Sequence, residues 1–233
     1  MKTLKIAIIA ATLTLGAAPA AIAEVEASAT IASSYLWRGV ELGSGTPALS
    51  ADVVYSSESG LYAGLWLSSG DKISGGSTEY DLFVGYAGSI GDLTYDIGYA
   101  SYMYPTSTIE LHGLALIALG GDVENTGFDD NAEYISSIGY GDVAVTHYVA
   151  KDGDYTYTTV GYEAGDFAFT YGDHDGLYAD PTNPAGYVAS HFDVSYAVND
   201  SLSLTMSTPV NVPNQLKAAE PDTTFVAAYS LPF

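Results

Sequence analysis

The residues of this chain that could do chemistry are its four histidines and 28 acidic side chains; it has no cysteine. Thiol nucleophiles, disulfides and thiolate metal sites are therefore excluded. The closest approach to a reactive cluster is Asp173-His174-Asp175, a carboxylate–imidazole–carboxylate run that could act as a base or hold a cation. It stands in Gly-flanked sequence that reads as a solvated loop. No H-x-S dyad accompanies it, so partners able to converge on a substrate are not identifiable. The acidic stretch Asp122 to Asp130 and the run Lys151-Asp152-Gly153-Asp154 invite a calcium reading, but neither has the full loop spacing of a dedicated calcium site. No metal, no cofactor and no enzymatic activity are expected.

A second set is less conspicuous and better placed. Asp52, Asp81, Asp96, Glu133, Asp193 and Ser195 each sit between apolar neighbours, His191 shares their parity, and Arg38 follows the run Y-L-W. Alternation of that kind belongs to strands, which send successive side chains to opposite faces. The last residues make the pattern plain: Phe225, Ala227, Tyr229, Leu231 and Phe233 form one apolar face of a strand that ends on an aromatic carboxy-terminus. Elsewhere the apolar sets are Leu49-Ala51-Val53-Tyr55, Tyr80-Leu82-Val84-Tyr86, Leu93-Tyr95-Ile97-Tyr99 and Phe192-Val194-Tyr196-Val198. Ile31, Tyr35 and Trp37 read as the apolar face of a first strand running from Ala27 to Val40. The faces of the third strand (Gly60 to Ser69) and the seventh (Asp142 to Lys151) stay open.

Twelve such segments can be counted, separated by turn residues. The connections alternate in length. Glu58-Ser59, Ile90-Gly91, Tyr140-Gly141, Gly165 and Asn199-Asp200 are tight, whereas the intervening ones are mostly long and rich in Gly, Asp and Pro. Transmembrane barrels have this asymmetry of short periplasmic turns and longer outer loops. The fold expected is all-β: a transmembrane antiparallel β-barrel of twelve strands, closed because an open sheet edge cannot sit in lipid. Residues 106–130 would be a long outer loop and look like an insertion.

Lys2 and Lys5 precede an apolar run from Ile6 to Leu15, followed by Gly16, Pro19 and an A-x-A site. This is the pattern of a cleaved signal peptide, residues 1–23, leaving 24–233 as the barrel. Loss of its two lysines takes the net charge from −22 to −24. Only Arg38, Lys72, Lys151 and Lys217 then remain basic, which makes nucleic acid an unsuitable partner and cations the natural counter-ions. No mature apolar run is long enough for a spanning helix.

The stretches S-S-Y-L-W-R-G-V-E (Ser33 to Glu41), P-A-L-S-A-D-V-V-Y-S-S-E-S-G-L-Y-A-G-L-W-L-S-S (Pro47 to Ser69) and Glu79 to Pro105 resemble the TorF family of porins. The Y-x-x-R-G element and the Y-x-Y-P ending at Tyr102 to Pro105 carry most of that resemblance. It implies an outer-membrane channel.

With the apolar sets facing lipid, Arg38, Asp52, Asp81, Asp96, Glu133, His191 and Asp193 become candidate pore-lining residues. Rings of carboxylates favour cations. The expected function is passive diffusion of small hydrophilic solutes or cations across the bacterial outer membrane. Two alternatives are a hydrolase using the His174 region and a structural or adhesive barrel with a closed lumen. Phe225, Tyr229, Leu231 and Phe233 would be read by the barrel-assembly machinery as a sorting signal. Tyr35, Trp37, Tyr55, Tyr86, Tyr102, Tyr104 and Tyr229 would sit as interfacial aromatics. The apolar stretch Ile109 to Leu119 is too greasy for an open loop. Folded into the barrel mouth, it would place Glu110 and His112 at a constriction.

Overall fold

The computed structural model describes residues 24–69, 78–104, 128–176, 190–211 and 222–233. Its strands are β1 (Glu24–Ala32), β2 (Leu36–Trp37), β3 (Val40–Glu41), β4 (Ala48–Ser56), β5 (Leu61–Ser68), β6 (Glu79–Ile90) and β7 (Leu93–Met103). They continue with β8 (Asn131–Tyr140), β9 (Val143–Ala150), β10 (Tyr155–Ala164), β11 (Phe167–Gly176), β12 (Ser190–Ala197), β13 (Leu202–Asn211) and β14 (Thr224–Pro232). Twelve of them, β1 and β4 to β14, close into one barrel in which every neighbouring pair is antiparallel. The seam joins β1 to β14, with Ile31 opposite Tyr229 and Ala29 opposite Leu231. Closure leaves no unpaired edge, as a membrane-spanning sheet requires.

Side-chain alternation sorts the wall. Leu49, Val53, Leu82, Val84, Ile97, Ile138, Val160, Phe225 and Tyr229 point outward and are exposed. That surface suits hydrocarbon rather than water. The two open faces are also resolved: Tyr62 and Tyr148 are buried inside, whereas Leu61, Leu67, Val143 and Val145 face out. Tight turns close one end. Gly91, Gly141 and Gly165 each hold a left-handed φ of 59–64°, the conformation that two-residue hairpin turns demand and that glycine adopts without a steric penalty.

Inside the barrel, rings lie over small residues on the next strand. Gly64 pairs with Phe83, and a Cβ on Gly64 would come within 2.2 Å of the ring. Gly172 pairs with His191 in the same manner, with 2.2 Å to Nε2. Absence of a side chain at these positions is what lets large rings lie flat against the inner wall.

The first strand departs from expectation. It ends at Ala32, and the chain then leaves the wall and enters the lumen, where β2 and β3 form a small hairpin of their own. Tyr35 and Trp37 are buried there instead of facing lipid, and Leu36 is buried with them. Leu36 packs with Ala32, Val226 and Ala228 on the seam side. Tyr35 and Trp37 join a larger cluster with Tyr62, Phe83, Tyr102, Tyr148, Tyr155 and Tyr157. Aromatic residues suit both lipid and a packed interior, so period-2 spacing alone did not separate the two destinations.

Candidate functional site in the barrel lumen

The inserted hairpin turns at Arg38 and Gly39, with φ of 46° and 80°. Two successive left-handed residues make the tight turn whose twist matches antiparallel strands. Leu36 faces Glu41 and Trp37 faces Val40 across it. The base is tied by the Ser34 hydroxyl, which donates to the Glu41 carboxylate, and by Leu42 N–H donating to the Tyr35 carbonyl at 2.7 Å.

Arg38 is 2 % exposed. Its Nη1 and Nη2 donate to the two carboxylate oxygens of Glu133 on β8, at 2.8 and 2.5 Å. This is the two-pronged geometry that a planar guanidinium makes with a carboxylate. The guanidinium carbon lies 4.4 Å from the centre of the Tyr148 ring and 4.8 Å from those of Trp37 and Tyr157. Rings at that range stabilise a desolvated cation. Tyr102 adds a hydroxyl donor to Glu133 at 2.7 Å. Removing one member of such a pair strands the other charge in a dry site, at a cost of about 3–5 kcal/mol.

Two histidines hold the tip. A carbonyl oxygen only accepts, so His174 Nε2–H donates to the Arg38 carbonyl, at 2.9 Å. The Tyr155 hydroxyl accepts from Arg38 Nη1 at 3.3 Å and donates onward to His174 Nδ1 at 2.7 Å. His191, 1 % exposed, donates from Nδ1 to Asp193 at 2.8 Å and accepts at Nε2 from the Tyr157 hydroxyl, also at 2.8 Å. A Cβ on Gly39 would stand 2.3 Å from His191 Cγ, so the turn is pressed against that ring.

Three of the remaining inward acids accept from hydroxyl groups, which offsets the cost of taking a carboxylate out of water. Glu79 accepts from Tyr35 and Tyr104, both at 2.7 Å. Asp96 accepts from Tyr62 at 2.8 Å, and Asp52 accepts from Ser28. Asp81 is buried, and its Oδ1 has no partner among the described residues. Lumenal tyrosines are thus the donors of an acidic interior.

The structure places Arg38, Asp52, Asp81, Asp96, Glu133, His191 and Asp193 inside the barrel. It brings Arg38 to Glu133 and His191 to Asp193, and leaves Asp52 and Asp96 on partners of their own. Arg38 reaches the lumen from a loop hairpin, not from strand 1. His174 is no loop residue: β11 runs on to Gly176 because Tyr155 to Tyr157 of β10 pair with it, which turns the imidazole inward. Tyr102 and Tyr104, expected at the interface, point inward, whereas Tyr55, Tyr86 and Tyr229 stay exposed outside. Phe225, Leu231 and Phe233 also face outward, Phe233 at 80 % exposure. Glu110, His112 and the stretch Ile109 to Leu119 lie outside the described residues, as do residues 1–23, where a signal peptide is expected. Among the described residues, no group of three or more His, Asp or Glu side chains is placed to hold a metal ion.

Sequence reasoning missed Tyr148, Tyr155 and Tyr157 as site residues. A signal existed for the hairpin itself: Arg38-Gly39 between L-W and V-E is a two-residue turn flanked by short strand-like pairs.

A closed twelve-stranded antiparallel barrel with an apolar exterior and a polar, hydrogen-bonded interior is the architecture of outer-membrane β-barrel proteins. Within that class the chain belongs to the Gcw_chp family, described as a bacterial protein of unknown function, whose profile matches residues 16–183. No curated protein matches the chain in sequence. Among solved structures, it is similar to the KdgM porin, with 7% identity, a TM-score of 0.42 and coverage of 90% of this chain and 97% of that one. The KdgM porin in complex with disordered oligogalacturonate gives 8% identity, 0.41, and coverage of 90% and 97%. Outer membrane phospholipase A from Escherichia coli gives 11% identity, 0.41, and 88% of each chain.

Proposed function

We propose that the protein is an outer-membrane channel for small cations and hydrophilic solutes, narrowed from within by the hairpin of residues 33–47. The carrying observation is the acidic lumen, in which Asp52, Asp81, Asp96, Glu133 and Asp193 face inward from the wall around a single inserted arginine. Charges along a confined path raise the local concentration of counter-ions, which here are cations. The resemblance of Ser33 to Glu41 and Pro47 to Ser69 to TorF porins supports the same reading. We take the protein to be non-enzymatic: both ring nitrogens of His174 and of His191 are engaged with groups of the lumen itself.

Single-channel recording in a planar bilayer tests this. Conductance steps with a cation-selective reversal potential are expected, and Asp52→Asn should lessen the selectivity. Raising salt should weaken it too, as the Debye length falls to about 3 Å at 1 M. Anion selectivity, or no change in Asp52→Asn, would defeat the cation reading. A second reading follows from the same hairpin, since packing across the lumen also suits a closed structural barrel. Silence in the intact chain together with silence after deletion of residues 34–45 would favour that alternative.

A further inference from the structure

The wall around Arg38 is more complete as a binding site than a plug contact requires. Glu133 presents both carboxylate oxygens to one planar group. Tyr102 fixes that carboxylate from behind at 2.7 Å. The rings of Tyr148, Tyr157 and Tyr155 surround the same group at 4.4, 4.8 and 5.8 Å. All five residues stand on four consecutive strands, β7 to β10, locked by continuous ladders. Their geometry is therefore set by the barrel and not by the hairpin. Arg38, in contrast, is delivered by a short loop through a left-handed backbone that a non-glycine residue rarely takes. Its Nε is buried with no acceptor among the described residues. Acceptors are given only to the two terminal nitrogens of the guanidinium, the part that a free guanidinium would share.

From this juxtaposition we infer that Glu133, Tyr102, Tyr148, Tyr155 and Tyr157 form a guanidinium-binding site, of which Arg38 is the tethered occupant. Small solutes bearing a guanidinium group are the ligand class. The fork of two parallel hydrogen bonds suits a planar group over an ammonium, which presents a point charge. Occupation by such a solute and occupation by Arg38 exclude each other, so the ligand competes with the docked hairpin.

Methylguanidinium is the probe, titrated by calorimetry into protein folded in detergent. Binding does not depend on whether the lumen conducts, so this outcome is separate from the channel reading. In Arg38→Ala, methylguanidinium should bind, and methylammonium should bind markedly more weakly. Wild type should bind at least about tenfold more weakly than Arg38→Ala, because a short tether holds its own guanidinium at millimolar or higher effective concentration. Adding Glu133→Gln to Arg38→Ala should abolish the heat. Arg38→Gln, which keeps an amide donor for Glu133, supplies the same comparison where Arg38→Ala does not reach the folded, heat-modifiable form. The inference is overturned by equal binding in wild type and variant, by binding that survives Glu133→Gln, or by a folded variant that binds no methylguanidinium.

Discussion

Replacing Gly39 by Ala perturbs the tip of the inserted hairpin and leaves every ladder of the barrel in place. Two costs arise. At a φ of 80° an alanine Cβ is in the left-handed region, a cost of roughly 1–2 kcal/mol. The same Cβ would lie 2.3 Å from His191 Cγ and 2.6 Å from its Cβ. That ring has little room to retreat, because Asp193 and Tyr157 hold its two nitrogens. Overpacking of this kind adds about 1–3 kcal/mol. The sum of about 2–5 kcal/mol, at tenfold per 1.4 kcal/mol, raises the undocked population about 30-fold to several thousand-fold. Arg38 supplies the assay, since trypsin cuts after it only when the tip leaves the lumen. Cleavage tracks the open population when reclosing is fast. Mass spectrometry of the Arg38-ended fragment should show faster cutting in Gly39→Ala, while cutting after the exposed Lys151 stays constant. Gly45→Ala is the control, for its φ is 69° but a Cβ there meets nothing within 4 Å. It carries the backbone cost alone and should accelerate cleavage far less. Equal rates in wild type and Gly39→Ala, or collapse of the whole barrel in the variant, would refute the reasoning.

Gly64→Ala should lower the thermal stability of the barrel by about 1–3 kcal/mol, through contact with the Phe83 ring 2.2 Å away; a heat-modifiability series in detergent reads it, and an unchanged transition would argue against close packing there. Phe233→Ala should reduce assembled protein in outer-membrane fractions without changing the refolded barrel in detergent, and normal membrane levels would remove the sorting role of the terminal strand. At the rim, the hydrogen bond with Asp129 raises the Lys151 ammonium above the ordinary lysine range. Its amine is therefore scarcer at mildly alkaline pH than that of a free lysine, and Asp129→Asn should speed acylation of Lys151 by an amine-reactive ester; an unchanged rate would contradict the pairing.

Strand count and inward parity were legible because they depend on local alternation. Leu82 and Val84 face out and Asp81 faces in for the same reason, a period of two on a wall with two solvents. Boundaries of β11 were not legible, since Gly172, Asp173 and Asp175 look like turn residues and only pairing with Tyr155 to Tyr157 keeps them in the strand. Nor was the lumenal hairpin. Tyr35 and Trp37 continue the spacing of Ile31, and the Arg38-Gly39 turn signals a hairpin without saying that it lies inside the wall. What decides it is the partner of Arg38, a glutamate 95 residues away. Pairings across such distances belong to tertiary packing, which neither propensity nor periodicity encodes.

That sequence separation bears on biogenesis. The hairpin lies near the start of the chain, yet the groups that receive it come much later: Glu133 is 95 residues on, Tyr155 117 and His174 136. Loop closure over such spans is entropically costly until the intervening strands have registered. The hairpin therefore cannot settle until most of the sheet exists, while the β1–β14 seam is formed from the two ends of the chain. A half-built sheet would leave an unpaired arginine and two aromatic rings protruding near the emerging seam. Docking of Arg38 is therefore expected late, after the strands that carry Glu133, Tyr155 and His174 have paired.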